Sequence, residues 1–240
     1  MNRRVVLFGL FALCAVVLCV RLGIWQLSRL DERRAKNALV RERGQAPALD
    51  LRAIRDQDTS ATHWHRVHVR GVALYDDELV QSSRSQSGAP GVYLLTPIRP
   101  LDSSWGDTVV LLLRGFVYAA NGRTIDFAAA READTLSFDA LVTAFSPAQA
   151  GAVQSAASPR SVRALNRDSI SAVMHRPLAP VVLLVLGDTM PHEVTRPSRI
   201  PPPSLSEGPH QSYAYQWFTF AFIFFAGFIA FVVNGKRASP

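Results

Sequence analysis

Apolar residues gather in two long runs near the ends of the chain, and between them the pattern breaks into shorter alternating segments. The clearer run is Tyr213 to Val233, YAYQWFTFAFIFFAGFIAFVV, which carries no charge. About 20 apolar residues, rising ~1.5 Å each, cross a bilayer core of about 30 Å. Tyr213, Tyr215 and Trp217 crowd its start, where amphipathic rings favour the headgroup layer, and Lys236 and Arg237 follow its end. Its phenylalanines read as packing against lipid, with a flat apolar partner as the alternative. Val5 to Val20 is the second run, preceded by Arg3 and Arg4. Beyond Arg21 it continues as LGIWQL, so Val5 to Leu27 spans a membrane if Arg21 snorkels to the outer interface. A secretory signal is disfavoured: no small-x-small site follows the run, and Leu18 precedes Cys19 where a lipoprotein signal needs a small residue.

The stretch between the runs reads as a folded domain. Arg29 to Arg43, RLDERRAKNALVRER, alternates in sign and predicts a polar helix extending the first span until Gly44 and Pro47. From His63, HWHRVHVRGVALY alternates as a strand does, and Asp76-Asp77 turns it into ELVQSS. Gly88, Pro90 and Gly91 precede the strand VYLLTPI, and Asp102 to Asp107 is a loop. Thr108 to Tyr118, TVVLLLRGFVY, predicts the most buried strand, with a hairpin-type turn at Asn121-Gly122. Leu136 to Phe145 alternates, placing Leu136, Phe138, Ala140 and Val142 on one face. Gly151 to Pro159 reads as a small-residue loop, and Ser161 to His175 as a helix stopped by Pro177. Pro180 to Leu186 is a last buried strand, and the prolines of residues 196–209 predict an extended tether. The expected fold is a membrane protein. Two transmembrane α-helices, residues 5–27 and 213–233, flank a mainly β (α+β) extracytoplasmic domain over 28–212.

A net charge of +7 over 240 residues would suit nucleic acid. The basic residues, however, mostly flank the apolar runs, where they meet anionic headgroups. No basic stripe interleaved with aromatics crosses the middle, so membrane lipid is the expected partner and nucleic acid is not. Arg3, Arg4, Lys236 and Arg237 place both termini in the cytoplasm, although the basic stretch Arg29 to Arg43 argues the other way. Long domains translocate largely regardless of charge, so both termini are expected inside and the domain outside. Cys14 and Cys19, five positions apart on one helix, point about 140° from one another, which excludes a disulfide or a good chelate between them.

Candidate chemistry is sparse. His63, His65 and His68 form the one histidine cluster, with His63 and His65 on one strand face and His68 on the other. No carboxylate or thiolate lies beside them in sequence, so solvated strand-edge histidines are the favoured reading and a zinc or copper site the alternative. There is no G-x-S-x-G elbow, H-E-x-x-H, P-loop or dinucleotide glycine fingerprint, and thus no positive reason to assign an enzyme. The helix ends are more informative. Trp25 and Gln26 close the first span and Gln216 and Trp217 open the second, so the two glutamines would meet at one depth or each be merely interfacial. Ala226 and Ala230 would let the helices approach closely. His210, Arg21 and Arg29 gather at the same outer rim, where a flat amphipathic ligand would find an imidazole for a metal, guanidinium groups for carboxylates and aromatics for its body.

Four segments resemble a known family. LGIWQLSRL (Leu22 to Leu30) resembles the G-x-W-Q-x-x-R signature that closes the first helix of the surfeit-locus-one family of cytochrome c oxidase assembly factors. GVYLLTP (Gly91 to Pro97) resembles its G-x-x-x-x-T-P strand, and LLRGFVY (Leu112 to Tyr118) its R-G-W-V strand, with Phe116 in place of Trp. PHQSYAYQWFTFA (Pro209 to Ala221) is similar to its H-x-x-Y-A-x-x-W lead-in to the second helix. Arg33 stands where a lysine is common.

The resemblance implies a non-enzymatic part in maturing the large oxidase subunit, by receiving haem a and presenting it. The large subunit and the haem a synthesis machinery are then partners. It implies His210 as an axial ligand of the haem iron, and the rim residues Trp217, Tyr213, Gln216, Trp25, Gln26, Arg21 and Arg29 are then the candidates to surround the cofactor. The absence of an Arg/Ser-rich transit segment makes a bacterial cytoplasmic (inner) membrane the expected location. Two other readings stand beside this one: a haem-free scaffold for the nascent oxidase, and a membrane-anchored enzyme with its pocket near the histidine cluster.

Overall fold

The computed structural model describes residues 3–146, 159–187 and 197–237. Helix α1, Arg3–Gln45, joins the first apolar run and the polar stretch after it without a break. It stops just before Pro47, whose ring restricts the residue ahead of it to extended backbone. At the other end helix α5, His210–Arg237, begins at His210 rather than Tyr213. Among the described residues these are the two helices long and apolar enough to cross a membrane. The chain separates into two compact units, Met1–Leu39 with Ser204–Pro240, and Val40–Pro203.

The second unit is built on strands. Two short helices, α2 (Leu51–Asp56) and α3 (Thr59–Thr62), lead into β1 (Arg66–Ala73). Then come β2 (Leu79–Gln86), β3 (Ala89–Pro100), β4 (Val109–Tyr118), β5 (Thr135–Ala144), β6 (Ser161–Val162), helix α4 (Arg167–Met174) and β7 (Leu178–Val185). Among the described residues the sheet order is β1-β5-β7-β4-β3-β2-β6. β1 also pairs with β3, Gly71 opposite Pro100 and Ala73 opposite Ile98, so β1, β5, β7, β4 and β3 close into a ring. The long strand β3 pairs with β4 along one edge and is shared on the other, its first half with β2 and its end with β1.

Burial explains the sequence pattern strand by strand. Val110, Leu112, Val181, Leu183 and Val185 join Leu136, Ala140 and Val142 in one core. Val109, Leu111, Leu113, Val182 and Leu184 join Ile170 and Met174 of α4 in another. β4 and β7 lie parallel, covered on both faces, which is why they read as continuous apolar runs rather than alternating ones. β5 has the face expected of it. Pro180, within β7, falls where the β4–β7 register shifts between Val109 and Leu111, so its missing N–H is tolerated there.

Several expectations are corrected. The helix foreseen from Ser161 starts at Arg167, because Val162 is buried beside β2 and Asn166 supplies the cap, its Oδ1 accepting from Ser169 N at 2.9 Å. Asn121-Gly122 turns the chain but joins no hairpin: Asn121 Oδ1 accepts from the N–H groups of Arg123 and Thr124, and β4 pairs with β3 and β7 instead of β5. The loop at 151–158 lies outside the described residues. From Pro197 to Pro209 the chain forms no helix, and part of it is annexed to the sheet: Ser198 and Phe116 exchange backbone hydrogen bonds of 2.7 and 2.8 Å. β4 leaves β7 after Leu113, so an open edge is available to Ser198.

Candidate functional site

On α1 the buried positions Ala12, Cys19, Gly23, Gln26, Leu30 and Asn37 recur at three, four or seven residues, so they form one stripe. Ala214 and Ala221 are the buried residues of α5 among those whose burial is described. Contacts between the helices run in opposite order along them, from Phe8 with Phe231 and Phe11 with Phe224 to Gly23 with Phe218 and Gln26 with His210. They form an antiparallel pair. A Cβ at Gly23 would stand 2.6 Å from the Phe218 ring, so glycine is required for this approach. Ala226 is half-buried and Ala230 exposed; Gly23, Ala214 and Ala221 make the close seam instead.

His210 opens α5, and its Nδ1 lies 2.9 Å from Gln26 Oε1. An amide oxygen only accepts, so the ring donates through Nδ1–H. In the neutral ring the lone pair is then on Nε2, which has no hydrogen-bond partner among the described residues. Gln26 is buried, 9% exposed, whereas His210 is partly exposed. The segment ahead of His210 is tied to α1 as well. Asn37 Nδ2 donates to the carbonyls of Leu205 and Ser206 at 2.7 and 3.4 Å, and Arg34 forks onto Glu207 through two bonds of 3.0 Å. The hydrogen bond from Arg34 holds the Glu207 carboxyl below its ordinary value.

The other expected site residues are placed differently. Gln216 is exposed and is not the partner of Gln26; the register sets Gln26 against His210. Trp25 is 48% exposed, with the Arg29 guanidinium 5.7 Å above its ring. Arg29 also pairs with Glu32 at 2.6 Å. Tyr213 is 45% exposed, and Trp217 meets Phe220 edge to face at 5.9 Å. Arg21 is exposed and makes no hydrogen bond or ion pair among the described residues. The structure therefore joins His210 to Gln26 and gives that imidazole no hydrogen bond to any of the other six among the described residues.

A second polar cluster lies in the strand unit and was missed from sequence. Arg114 on β4 is wholly buried and donates to Glu78 Oε1 at 3.0 Å, Glu132 Oε2 at 3.2 Å and the Ala130 carbonyl at 2.6 Å. Thr96 donates to the same Glu78 oxygen. Arg199 bridges Glu132 at 2.6 Å and the Arg114 carbonyl at 2.8 Å. Burial pushes the Glu78 carboxyl above its ordinary value, with Arg114 opposing. Gly115 admits the crossing segment, since a Cβ there would sit 2.6 Å from Ser198 O. Thus Thr96 of GVYLLTP and Arg114-Gly115 of LLRGFVY converge on Glu78, a residue with no motif of its own.

The histidine cluster does not assemble. β1 starts at Arg66, so His63 ends α3 and stacks on Trp64 at 4.3 Å, while burial lowers the pKa of His65. The strand expected from His63 starts at Arg66 instead, because Asp58 caps a short helix just before it, accepting from Ser60 N. No group of three or more His, Cys, Asp or Glu suited to a metal occurs among the described residues. His68 Nδ1 lies 3.0 Å from Asp139 Oδ1 and its Nε2 lies 3.2 Å from Ser137 Oγ. This chain has the order of a nucleophile triad, but its His68 and Asp139 side chains are 60% and 54% exposed. Water screens them, because the cleft that His68 lines with Leu49, Arg70 and Asp102 is open to solvent.

Comparison with known proteins follows the same residues. The sequence model of the SURF1 family matches residues 13–222, from within the first long helix to within the second, with the sheet between them. A SURF1-like protein of Rickettsia felis is 31% identical over 110 residues, 45% of this chain and 45% of that protein. A SURF1-like protein of Rickettsia bellii is 32% identical over 118 residues, 48% of this chain and 46% of its own. The chain thus aligns with just under half the length of these relatives.

Proposed function

The chain belongs to the SURF1 family, and from that premise we propose that it is an assembly factor for a haem-copper cytochrome c oxidase, receiving haem a as cargo and presenting it to the large oxidase subunit. It acts as a binding and delivery protein, not an enzyme. Its place is a bacterial inner membrane, crossed by α1 and α5, with both termini cytoplasmic and the strand unit outside. Beside the family match, the observation that carries the haem reading is the unpartnered Nε2 of His210, since an imidazole nitrogen with a free lone pair suits haem iron.

The donor set fits such cargo. His210 offers one neutral nitrogen, and Gln26 holds the ring by its other nitrogen. Half-exposed Trp25 and Tyr213 offer apolar faces of the kind a macrocycle stacks on, and Trp217 continues the aromatic band of α5. Exposed Arg21 and half-exposed Arg29 offer guanidinium groups to carboxylates, although Arg29 must share its charge with Glu32. Haem a, once held, supplies the iron centre that the oxidase subunit needs. The chain's task is to keep it oriented and then release it.

The test is genetic and chemical together. In a host lacking this gene, wild-type protein should restore the haem a content of the purified oxidase, and His210→Ala should restore much less. Equal restoration by both would remove His210 from the reading and favour a haem-free scaffold that stabilises an assembly intermediate.

A further inference from the structure

Of the residues in the buried stripe of α1, two carry amide side chains, Gln26 and Asn37, and both reach the segment that ends in His210. A buried amide in an apolar seam is costly unless its hydrogen bonds are made. Each has a distinct partner type. Asn37 donates to backbone carbonyls, which fixes where the chain runs. Gln26 accepts from a side chain, which places a proton on the Nδ1 that faces it.

We infer that Gln26 is a positioning residue that selects the Nδ1–H tautomer of His210 and so keeps Nε2 as the nitrogen offered to a metal centre. The inference deepens the haem-presenting reading and rests on it for the ligand's identity, but the tautomer itself belongs to the ligand-free protein. Free imidazole side chains exchange between tautomers. A single acceptor at 2.9 Å on Nδ1, held in a buried position, biases the exchange toward the form with an open Nε2. Gly23 strengthens this bias by letting the Phe218 ring of α5 seat against α1 one turn before Gln26, because a wider seam would carry the amide out of reach. Asn37 and the Arg34–Glu207 fork hold the approach to the ring from the other side of His210. The exposed aromatics need no such precision, and none of them is fixed by a buried hydrogen bond among the described residues.

The test begins without haem. Full-length protein in detergent, with 15N-labelled histidine, is compared by long-range 15N–1H correlation with its Gln26→Leu and Gln26→Glu variants, His210→Ala supplying the assignment. The expected result is an Nδ1–H tautomer for His210 in the wild type, a shift toward Nε2–H in Gln26→Leu, and retention of Nδ1–H in Gln26→Glu, whose carboxylate accepts in the same place. An Nε2–H tautomer in the wild type, or no change in Gln26→Leu, overturns the inference. Circular dichroism checks that the apolar variant keeps its helices. Titration with haemin then gives the second readout: Gln26→Leu should bind roughly 10- to 100-fold more weakly, as loss of an orienting partner does at metal sites, and Gln26→Glu should recover most of that loss. Haemin binding by neither wild type nor variants, with the tautomer result intact, removes the haem reading and leaves the role of Gln26 standing.

Discussion

Both units bury polar side chains, and they finish them in opposite ways. In the strand unit Arg114 sits between Glu78 and Glu132, Arg199 closes onto Glu132, and the atoms left without a partner, Glu78 Oε2 and Arg114 Nε, are sealed from solvent. In the helix unit His210 is bound on one nitrogen only and is partly exposed. A sealed cluster can hold strands together but can greet nothing from outside. A histidine held by one edge is poised to take a second partner. The family's motifs serve both ends: Thr96 and Arg114 belong to the sealed cluster, Gly23 and Gln26 to the open one.

The contrast is broken most severely at Arg114. Replacing it by leucine strands the buried Glu78 carboxyl, while Glu132 keeps Arg199, and loss of one member of a buried ion pair costs about 3–5 kcal/mol. Denaturant unfolding of the strand unit should move to a much lower midpoint while the tautomer of His210 stays as it was. Next in size is Gly23→Leu, which must push the Phe218 ring aside and should cost about 1–3 kcal/mol as overpacking does. Its readout is Cys19, buried in the stripe: a thiol reagent should reach it faster in the variant, with Cys14, already exposed, unchanged.

A pH series sharpens the comparison further. Burial raises the folded Glu78 value, so the folded state holds a proton that the unfolded chain has already released. The strand unit should therefore lose stability as pH rises from the ordinary carboxylate range toward that raised value. Glu78→Gln should flatten the slope, as thermal unfolding at several pH values will check. The smallest effect is expected at Glu207→Gln. Its fork with Arg34 is exposed, so the loss should be slight and vanish in high salt.

The architecture was readable where periodicity is strong. The alternation of β5 and the apolar runs of β4 and β7 follow from burial on one face or two, and the two long helices follow from the length of their apolar runs. What escaped was long-range. Glu78 follows a short turn and looks like any surface acid, yet it is wholly buried, because Thr96 and Arg114 arrive from two other strands. Ring closure by β1 and β3 rests on three pairings that no local pattern announces. At the site, His210 and Gln26 were both singled out, but Gln26 was matched to Gln216 by depth, and only the antiparallel register shows its partner to be His210. An Asn or Gln on an otherwise apolar helix stripe was the available signal, and Asn37 carried the same one.

The central claim is that the open nitrogen of His210 exists to hold haem. The direct measurement is an absorption spectrum of the protein purified in detergent after co-expression with the haem a synthesis enzymes, beside its His210→Ala variant. A haem a spectrum in the wild type that the variant loses, with the strand unit folded in both, is the predicted result. Equal haem in both proteins, or none in either, would contradict the claim.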